Sequence, residues 1–403
     1  MALEIGLAWV DVTPPVGATM VGYTARQATG VGHPLRAEAV ACRDGDGDRG
    51  GGGWVLVSVD AIGFTGEFSR RVRGRMAEVT GLPAEAHVLC GTHTHSGPST
   101  IVFGRGESMG EVDRAYLAEL EEKLVGLVRE AWAGASPGVF ETAWTEAREL
   151  GHNRRVQRED GWGNEWEDVE GRHPGFFDPA VLLVAVRRPN GKRDGLIVNY
   201  GCHPVTLGPS SLELSADYVG YMKDRLEAEG AAGLVTFALA ACGNINPRAC
   251  IRVGAEHPKA MGEALAAVVM KAMGELKAVE PGAVASASAA WSITRTREGK
   301  KGRRKAGDVT ETEVVAARAG ELGLIAGPGE LFSEFNKPLR AMHPARDTLI
   351  VTLANEYPGY IPTDAAQAEG AYEVTMAPCD GLEGALMETA RAAVDGIQIE
   401  VSE

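Results

Sequence analysis

The sequence predicts an α/β protein in which mixed sheets are flanked by helices. Two observations predict this class: apolar strands alternate with amphipathic helices along all 403 residues, and polar side chains follow several of the strands. Hydrophobic residues make up 44% of the chain and charged residues 24%, which suits a globular protein with a large core. No internal repeat or Ser/Pro-rich linker divides the sequence, so we expect one domain over residues 1–403, without a separate C-terminal β domain.

The first half of the chain predicts three strands, a helix, a fourth strand and a second helix. The segments "GLAWVDV", "EAVACRD" and "GWVLVSVD" have the apolar content of strands. Phe68, Val72, Met76 and Val79 then recur at helical spacing, and "HVLCGTHTH" predicts the next strand. A longer amphipathic helix runs from Tyr116 to Trp132 and ends at "GASPG".

The second half repeats this alternation. "VLLVAVRR", "GLIVNYGCHP" and "GLVTFALAACGNINP" predict strands, with helices expected at about 216–229 and 258–276. A helix at about 329–342, the strand "TLIVTLANE" and a final helix at about 383–394 complete the pattern.

An aspartate-rich loop between the second and third strands has two interpretations. Asp44, Asp46 and Asp48 alternate as in an EF-hand loop, which suggests calcium. Arg49 stands where the sharp turn needs glycine, and Val55 stands where the bidentate glutamate belongs. The pattern therefore favours a flexible hairpin tip.

The charge balance argues against nucleic acid and membranes as partners. The net charge of −15 and the pI near 5.2 repel phosphate backbones and anionic lipid heads. Residues 295–308 are strongly basic, but they contain no interleaved aromatic residue, so we expect a flexible, solvated excursion rather than a nucleic-acid site. The N-terminal sequence has neither a signal-peptide pattern nor a spanning helix, which predicts a cytoplasmic protein. The six cysteines form no CxxC pair and are expected to be mostly buried thiols.

Candidate metal ligands follow several predicted strands. His93 and His95 would share one face if "LCGTHTH" stays a strand, although a pair of polar residues at a half-exposed strand is equally ordinary. His203 follows a second strand, and Glu330 follows Pro-Gly in "AGPGELF". Tyr357 and Tyr360 lie in the loop after a further strand, where they could bind a metal or transfer a proton. Two imidazoles and a carboxylate are a common ligand set for catalytic zinc.

These motifs resemble, in order, those of the neutral (alkaline, non-lysosomal) ceramidases, which are zinc amidases that cleave the N-acyl bond of ceramide. The resemblance rests on "GTHTHSGP", "HNRR", "GCHPVTLG" with "SADYVGY", "PGELF", and "YPGYIPT" with "AYE". It implies that Zn²⁺ is held by His93, His203, Glu330 and Tyr360. It also implies that His95, Arg154 and Tyr372 contact the substrate's polar head or the reacting carbonyl, and that Asp217 supports the segment after His203.

The chain departs from the family pattern at "CGNINPR". Asn246 stands where the family has a serine proposed as nucleophile or substrate contact, and Asn244 replaces an aspartate. An amide cannot be acylated as a hydroxyl can, which leaves attack by metal-activated water, with Asn246 donating a hydrogen bond to substrate or oxyanion. We therefore expect a zinc-dependent hydrolase of a small soluble amide, ester or lactone rather than of ceramide. The alternative is a protein of the same fold that binds a metal or ligand without hydrolysis.

Overall fold

The computed structural model describes residues 3–45, 52–101, 112–297 and 305–402. Its α-helices are Gly66–Thr80 (α1), Arg114–Ala133 (α2), Asp217–Ala228 (α3), Glu256–Ala272 (α4), Asn336–Met342 (α5), Asp364–Glu369 (α6), Tyr372–Met376 (α7) and Leu382–Ser402 (α8). Its strands are Leu3–Asp11 (β1), Thr19–Met20 (β2), Arg26–Gln27 (β3), Gly30–Val31 (β4), Arg36–Asp44 (β5), Gly53–Val59 (β6), His87–Gly91 (β7), Ser136–Glu146 (β8), Gly151–Asn153 (β9), Arg155–Arg158 (β10), Gly161–Asn164 (β11), Ala180–Arg187 (β12), Arg193–Tyr200 (β13), Glu213–Leu214 (β14), Leu234–Leu239 (β15), Ile245–Pro247 (β16), Lys277–Ala278 (β17), Val284–Thr294 (β18), Val309–Ala319 (β19), Leu322–Ala326 (β20), Glu330–Leu331 (β21), Asp347–Val351 (β22) and Tyr360–Ile361 (β23).

Two mixed sheets form the centre of the molecule. The larger sheet has nine strands in the order β15-β13-β12-β8-β1-β5-β6-β7, with β17 beside β8, and only the pairs β13–β15 and β6–β7 are parallel. The second sheet has the order β18-β19-β20-β22, in which β20 and β22 are parallel. The predicted mixed α/β architecture is confirmed.

The two sheets pack face to face, and each carries helices on its outer face. In β6, Trp54 and Leu56 point into the core between the sheets, while Val55 and Val57 pack toward α1 and α2. This alternation follows from the period of two along a strand. The outer face of β12, β13 and β15 is covered by α3 and α4, and the outer face of the second sheet by α5 and α8.

The larger sheet curls so that strands near its two ends meet. Ser58 of β6 donates a 2.6 Å hydrogen bond to the carbonyl of Phe237 in β15. Asn199 of β13 bridges the carbonyls of Ala238 and Ile350, which ties the larger sheet to the second. The segments that follow β7, β13, β15 and β22 are thereby brought together on one side of the molecule.

Several predicted boundaries need correction. The strand expected through His95 ends at Gly91, and the helix expected from about 329 is replaced by β21, a 3₁₀ turn at Ser333–Phe335 and the shorter α5. The long strands β18 and β19 were missed, and in β18 the Ala- and Ser-rich sequence gives little apolar contrast. The final helix is longer than expected, since α8 runs to Ser402.

The two charged segments singled out in the sequence both lie between strands. Residues 295–308 connect β18 to β19, and 298–304 lie outside the described residues. Asp44 ends β5, whereas Asp46 and Asp48 lie outside the described residues. Five of the six cysteines are buried free thiols, as expected, and Cys379 is partly exposed. Among the described helices, none combines the length and apolar character needed to cross a membrane.

A buried ion network supports the segment that leads into the candidate site. Lys223 of α3, only 1% exposed, donates to Glu38 of β5 at 2.7 Å and to Asp60 at 3.0 Å. Asp60 also accepts a hydrogen bond from Thr92 Oγ1, immediately before His93. The lysine thus compensates the charge of two buried carboxylates. One of them, Asp60, holds the segment beside the site through Thr92.

We expect Lys223→Ala to lower the free energy of unfolding by about 3–5 kcal/mol, because it leaves two carboxylates buried without their cation. The urea unfolding midpoint, followed by circular dichroism, measures this change. Lys259→Ala on the neighbouring α4 is the matched control, since Lys259 is exposed and faces only Glu263 at 4.0 Å. Equal midpoints for the two variants would contradict the role given to Lys223.

Candidate active site

His93 is placed by a left-handed turn just after β7. The backbone N–H of His93 donates to the carbonyl of Ala61, and His93 adopts φ = 72°, a conformation uncommon for residues other than glycine. Its Nδ1 lies 2.6 Å from the carbonyl oxygen of Ile62. Because a carbonyl oxygen can only accept, Nδ1 is the donor in this contact, and Nε2 faces the interior of the site.

His203 is held in the same way from the opposite side. It lies three residues after β13, and its Nδ1 is 2.9 Å from the carbonyl oxygens of both Cys242 and Ile245. Its Nε2 is 2.9 Å from Glu330 Oε2. Burial lowers the pKa of His203 to about 4. The ring is therefore neutral at neutral pH, and its Nε2 carries no proton.

Asp217 fixes the chain that follows His203. Its carboxylate accepts hydrogen bonds from Thr206 Oγ1 at 2.6 Å and from the backbone N–H of Leu207 at 3.0 Å. It also accepts a bond from the N–H of Tyr218, while its own backbone is left-handed at φ = 55°. Asp217 therefore links the start of α3 to the turn beyond the histidine.

Glu330 lies at the centre of the group, in β21 rather than at the helix start expected from the sequence. β21 pairs in parallel with β23, which aligns Glu330 with Tyr360. Glu330 is 3% exposed, and its Oε2 lies 2.9 Å from His203 Nε2 and 3.5 Å from His93 Nε2. Burial raises the pKa of this carboxyl, but the two histidines more than offset that effect and hold it well below its usual range.

Tyr357 secures the other oxygen of Glu330. Its hydroxyl donates a short hydrogen bond to Glu330 Oε1. This contact leaves Oε2 as the oxygen that faces the histidines. The sequence placed Tyr357 beside Tyr360 in the loop after a strand, but it did not predict this contact with Glu330.

His95 completes the cluster beside His93. Although the predicted strand ends before it, the two rings lie 4.8 Å apart, with 3.3 Å between their Nε2 atoms. Burial, together with the nearby His93 and His203, lowers the pKa of His95 well below its usual value. Its Nδ1 has no hydrogen-bond partner within the described residues.

The donor atoms of this cluster fit a metal ion. Ligand atoms of His93, His95 and His203 all lie within 4.8 Å of one another. Tetrahedral zinc with bonds of about 2.0–2.1 Å to nitrogen separates its ligand atoms by about 3.3 Å. The Nε2 atoms of His93 and His95 are 3.3 Å apart, and Glu330 Oε2 lies 3.5 Å from His93 and 2.9 Å from His203. Unprotonated nitrogens that face a carboxylate repel one another unless a cation or proton lies between them.

Arg154 is the buried cation next to the cluster. Its Nη2 donates to the Tyr360 hydroxyl at 3.2 Å and to the Gly243 carbonyl at 2.7 Å. Its Nε donates to Glu373 at 2.7 Å, and its Nη1 to Asn246 Oδ1 at 3.0 Å. Burial, and then the charge of Glu330, raise the pKa of Tyr360 well above its usual value. Arg154 therefore orients Tyr360 rather than extending freely into the cavity.

Asn244 and Asn246, which replace an aspartate and a serine of the family pattern, both make hydrogen bonds within the protein. Asn246 Nδ2 donates to the Trp166 carbonyl at 3.0 Å and toward Cys250 Sγ at 3.6 Å. Asn244 accepts from the backbone N–H of Ser333 and donates to Glu334. Both amides thus join separate segments around the site.

A cavity of about 480 Å³ opens above the cluster. It is lined by Gly22, Tyr23, Thr24, His93, His95, Arg154, Trp166, Val205, Pro209, Asn246, Ile251, Glu330, Tyr357, Tyr360, Tyr372 and Met376. All the predicted site residues except buried His203 therefore line one cavity. Trp166 was missed in the sequence because "GWGNEWEDVE" has no strand or helix periodicity.

Gly22 allows the close approach of His95. A Cβ at position 22 would lie 2.5 Å from His95 Cγ, and the backbone there has φ = 107°. Only glycine meets both conditions without displacing the ring.

Comparisons with solved structures agree with this architecture. The neutral ceramidase from Pseudomonas aeruginosa superposes with a TM-score of 0.81 at 18% identity, covering 98% of this chain and 75% of that chain. A structure described as ceramidase complexed with C2 gives a TM-score of 0.83 at 17% identity, covering 100% of this chain and 76% of that chain. At these identities the likeness shows a common fold.

Sequence comparison gives a more direct relationship. Neutral ceramidase A of Dictyostelium discoideum is 25% identical over 225 residues, which are 54% of this chain and 31% of that protein. The matched region thus spans about a third of the relative's length. The family model described as neutral/alkaline non-lysosomal ceramidase, N-terminal, matches residues 3–288. Because that match covers well over half of the chain, the protein belongs to the neutral/alkaline non-lysosomal ceramidase family.

Proposed function

We propose that this protein is a zinc-dependent hydrolase that cleaves a C–N amide bond, or an ester or lactone, in a small substrate. The observation that carries the proposal is the convergence of histidine ring nitrogens on a buried carboxylate beneath a cavity. His93, His203, Glu330 and Tyr360 would hold the metal. Family membership supports a hydrolase. The ligand set is the one that the resemblance of the motifs implies.

The metal would supply a Lewis acid that polarises the substrate carbonyl and lowers the pKa of water. The protein's own part is to hold the reacting groups in place. Arg154 fixes the Tyr360 hydroxyl at 3.2 Å, and Tyr357 fixes the Glu330 carboxylate. His95 and Tyr372 line the same cavity and would orient the substrate carbonyl and stabilise the oxyanion together with Arg154.

A covalent route through position 246 does not fit this chain. The amide of Asn246 cannot form an acyl intermediate as a hydroxyl can. Its oxygen accepts from Arg154, and its nitrogen donates to the Trp166 carbonyl. Direct attack by water on the carbonyl is the route that remains.

The size of the cavity favours a substrate smaller than ceramide. A volume of about 480 Å³ lies at the lower end of the usual range for small-molecule sites and leaves little room for a two-chain lipid. The net charge of −15 also disfavours work at an anionic membrane surface.

The second candidate is a metal- or ligand-binding protein without hydrolytic activity. The observation that favours it is the use of Asn244 and Asn246 for internal hydrogen bonds at positions where the family pattern has an aspartate and a serine. This candidate shares the metal site and differs only in turnover.

Purified protein should contain about one zinc ion per chain, as measured by inductively coupled plasma mass spectrometry. His93→Ala and His203→Ala should each lose most of it, because each removes a ring nitrogen from the cluster. His257→Ala, on α4 and partly exposed, is the matched control and should retain the metal. Full metal content in the first two variants would show that the site is wrong.

Tyr357→Phe should weaken zinc affinity about 10–100-fold, because it removes the hydrogen bond that fixes Glu330 Oε1. Competition with a chromophoric chelator measures the affinity. Tyr116→Phe is the matched control, since it removes a buried 2.7 Å hydrogen bond to the Val12 carbonyl in a different part of the protein. An unchanged affinity in Tyr357→Phe would contradict this role.

A screen of small amides, esters and lactones should reveal turnover that chelation abolishes. Glu330→Gln should lower kcat/KM at least about 100-fold, since it removes the charge at the centre of the cluster. Glu256→Gln, which alters an exposed carboxylate, should leave the rate unchanged. A fully metallated protein that turns over none of the three classes would instead support the binding-protein candidate.

A further inference from the structure

A row of three aromatic rings leads from the metal cluster to the mouth of the cavity. The Tyr360 ring lies 5.8 Å from that of Tyr372, which lies 5.6 Å from that of Trp166, and both pairs meet edge to face. Tyr360 is 6% exposed and Trp166 is 40% exposed. The rise in exposure gives the row a direction, with Tyr360 at the floor and Trp166 at the opening.

Trp166 is held firmly although it lies in an irregular segment. Its backbone carbonyl accepts hydrogen bonds from Asn246 Nδ2 at 3.0 Å and from Cys250 Sγ at 2.8 Å. The next residue, Glu167, accepts from the Cys250 N–H at 3.1 Å and from Arg252 at 2.6 and 2.9 Å. A wall fixed in this way loses little conformational entropy when a ligand binds.

The charge beside Trp166 is already matched within the protein. The Arg154 guanidinium lies 5.3 Å from the centre of the Trp166 ring, but it pairs with Glu373. Glu373 in turn also contacts Arg155 at 3.2 Å. The same cavity is also lined by Val205, Ile251 and Met376, which are apolar. A charged group placed here would lose water without gaining a new partner.

We propose that Trp166 determines specificity by binding an uncharged, flat or apolar group on the substrate, remote from the scissile bond. The scissile carbonyl then lies toward Tyr360 and the metal cluster, at the end of the row of three rings opposite to Trp166. Asn246 and Cys250 act as positioning residues, because they fix the Trp166 carbonyl rather than the reacting atoms. This inference rests on the proposed function and names the substrate class for the same site.

Equilibrium binding of N-benzylacetamide to the zinc-loaded protein, measured by isothermal titration calorimetry, tests the inference. Trp166→Ala should raise the Kd about 10-fold, because the ring loses its aromatic partner. Trp166→Phe should restore most of the affinity. Trp144→Phe is the matched control, since Trp144 is 39% exposed but lines a different groove, and it should leave the Kd unchanged.

Two further probes separate the contributions. Acetamide, which has no ring, should bind equally to the unaltered protein and to Trp166→Ala. The carboxylate analogue 4-(acetamidomethyl)benzoate should bind at least about 10-fold more weakly than N-benzylacetamide, because its charge finds no partner near the indole. Equal binding of the two ring-bearing probes would overturn the preference for an uncharged group.

No binding of N-benzylacetamide to the unaltered protein, or an unchanged Kd in Trp166→Ala, would overturn the inference itself. The zinc content of Trp166→Ala should equal that of the unaltered protein, since none of the four proposed ligands is changed. Failure of the proposed function would appear differently, as zinc retained in His93→Ala and His203→Ala.

Discussion

The burial of one carboxylate is the constraint on which the site depends. A carboxylate removed from water destabilises the folded protein unless donors or cations compensate it. One oxygen of Glu330 accepts a hydrogen bond from Tyr357, and the other faces the ring nitrogens of His93 and His203, so that a cation or proton between them completes the compensation. These partners follow three different strands, so the site exists only when both sheets are packed together. The curl of the larger sheet is therefore what brings the polar groups of the site together.

A second buried charge, Arg154, organises the adjoining half of the cavity. Its guanidinium joins the strand pair β9–β16, the carboxylate of Glu373 and the Tyr360 hydroxyl. The negative and positive centres are linked through Tyr360, which pairs with Glu330 across β21 and β23. Because each charge has protein partners, the walls above them can be apolar and aromatic. The polar groups that would react with the substrate therefore lie at the floor of the cavity, and the groups that would select the substrate lie at its mouth.

The sequence predicted the alternation of strands and helices well, because apolar periodicity reports directly on sheet and helix faces. It did not predict that β7 ends at Gly91, since His93 and His95 continue a strand-like pattern while the backbone turns left-handed. The contribution of Tyr357 depends on a contact with Glu330, 27 residues away. Trp166 is positioned by Asn246 and Cys250, some 80 residues further along the chain. Contacts between residues this far apart in the chain leave no local sequence pattern from which they could be predicted.

The absence of a side chain at position 22 has a consequence for which substitutions this chain can accept. Gly22 contributes no donor and no charge, yet a single added carbon would meet the His95 ring. A saturation scan of the chain would thus register this position as intolerant in the same way as the histidines, although it offers no side chain to a metal or a substrate. The site therefore depends on the empty space at position 22 as well as on its polar groups.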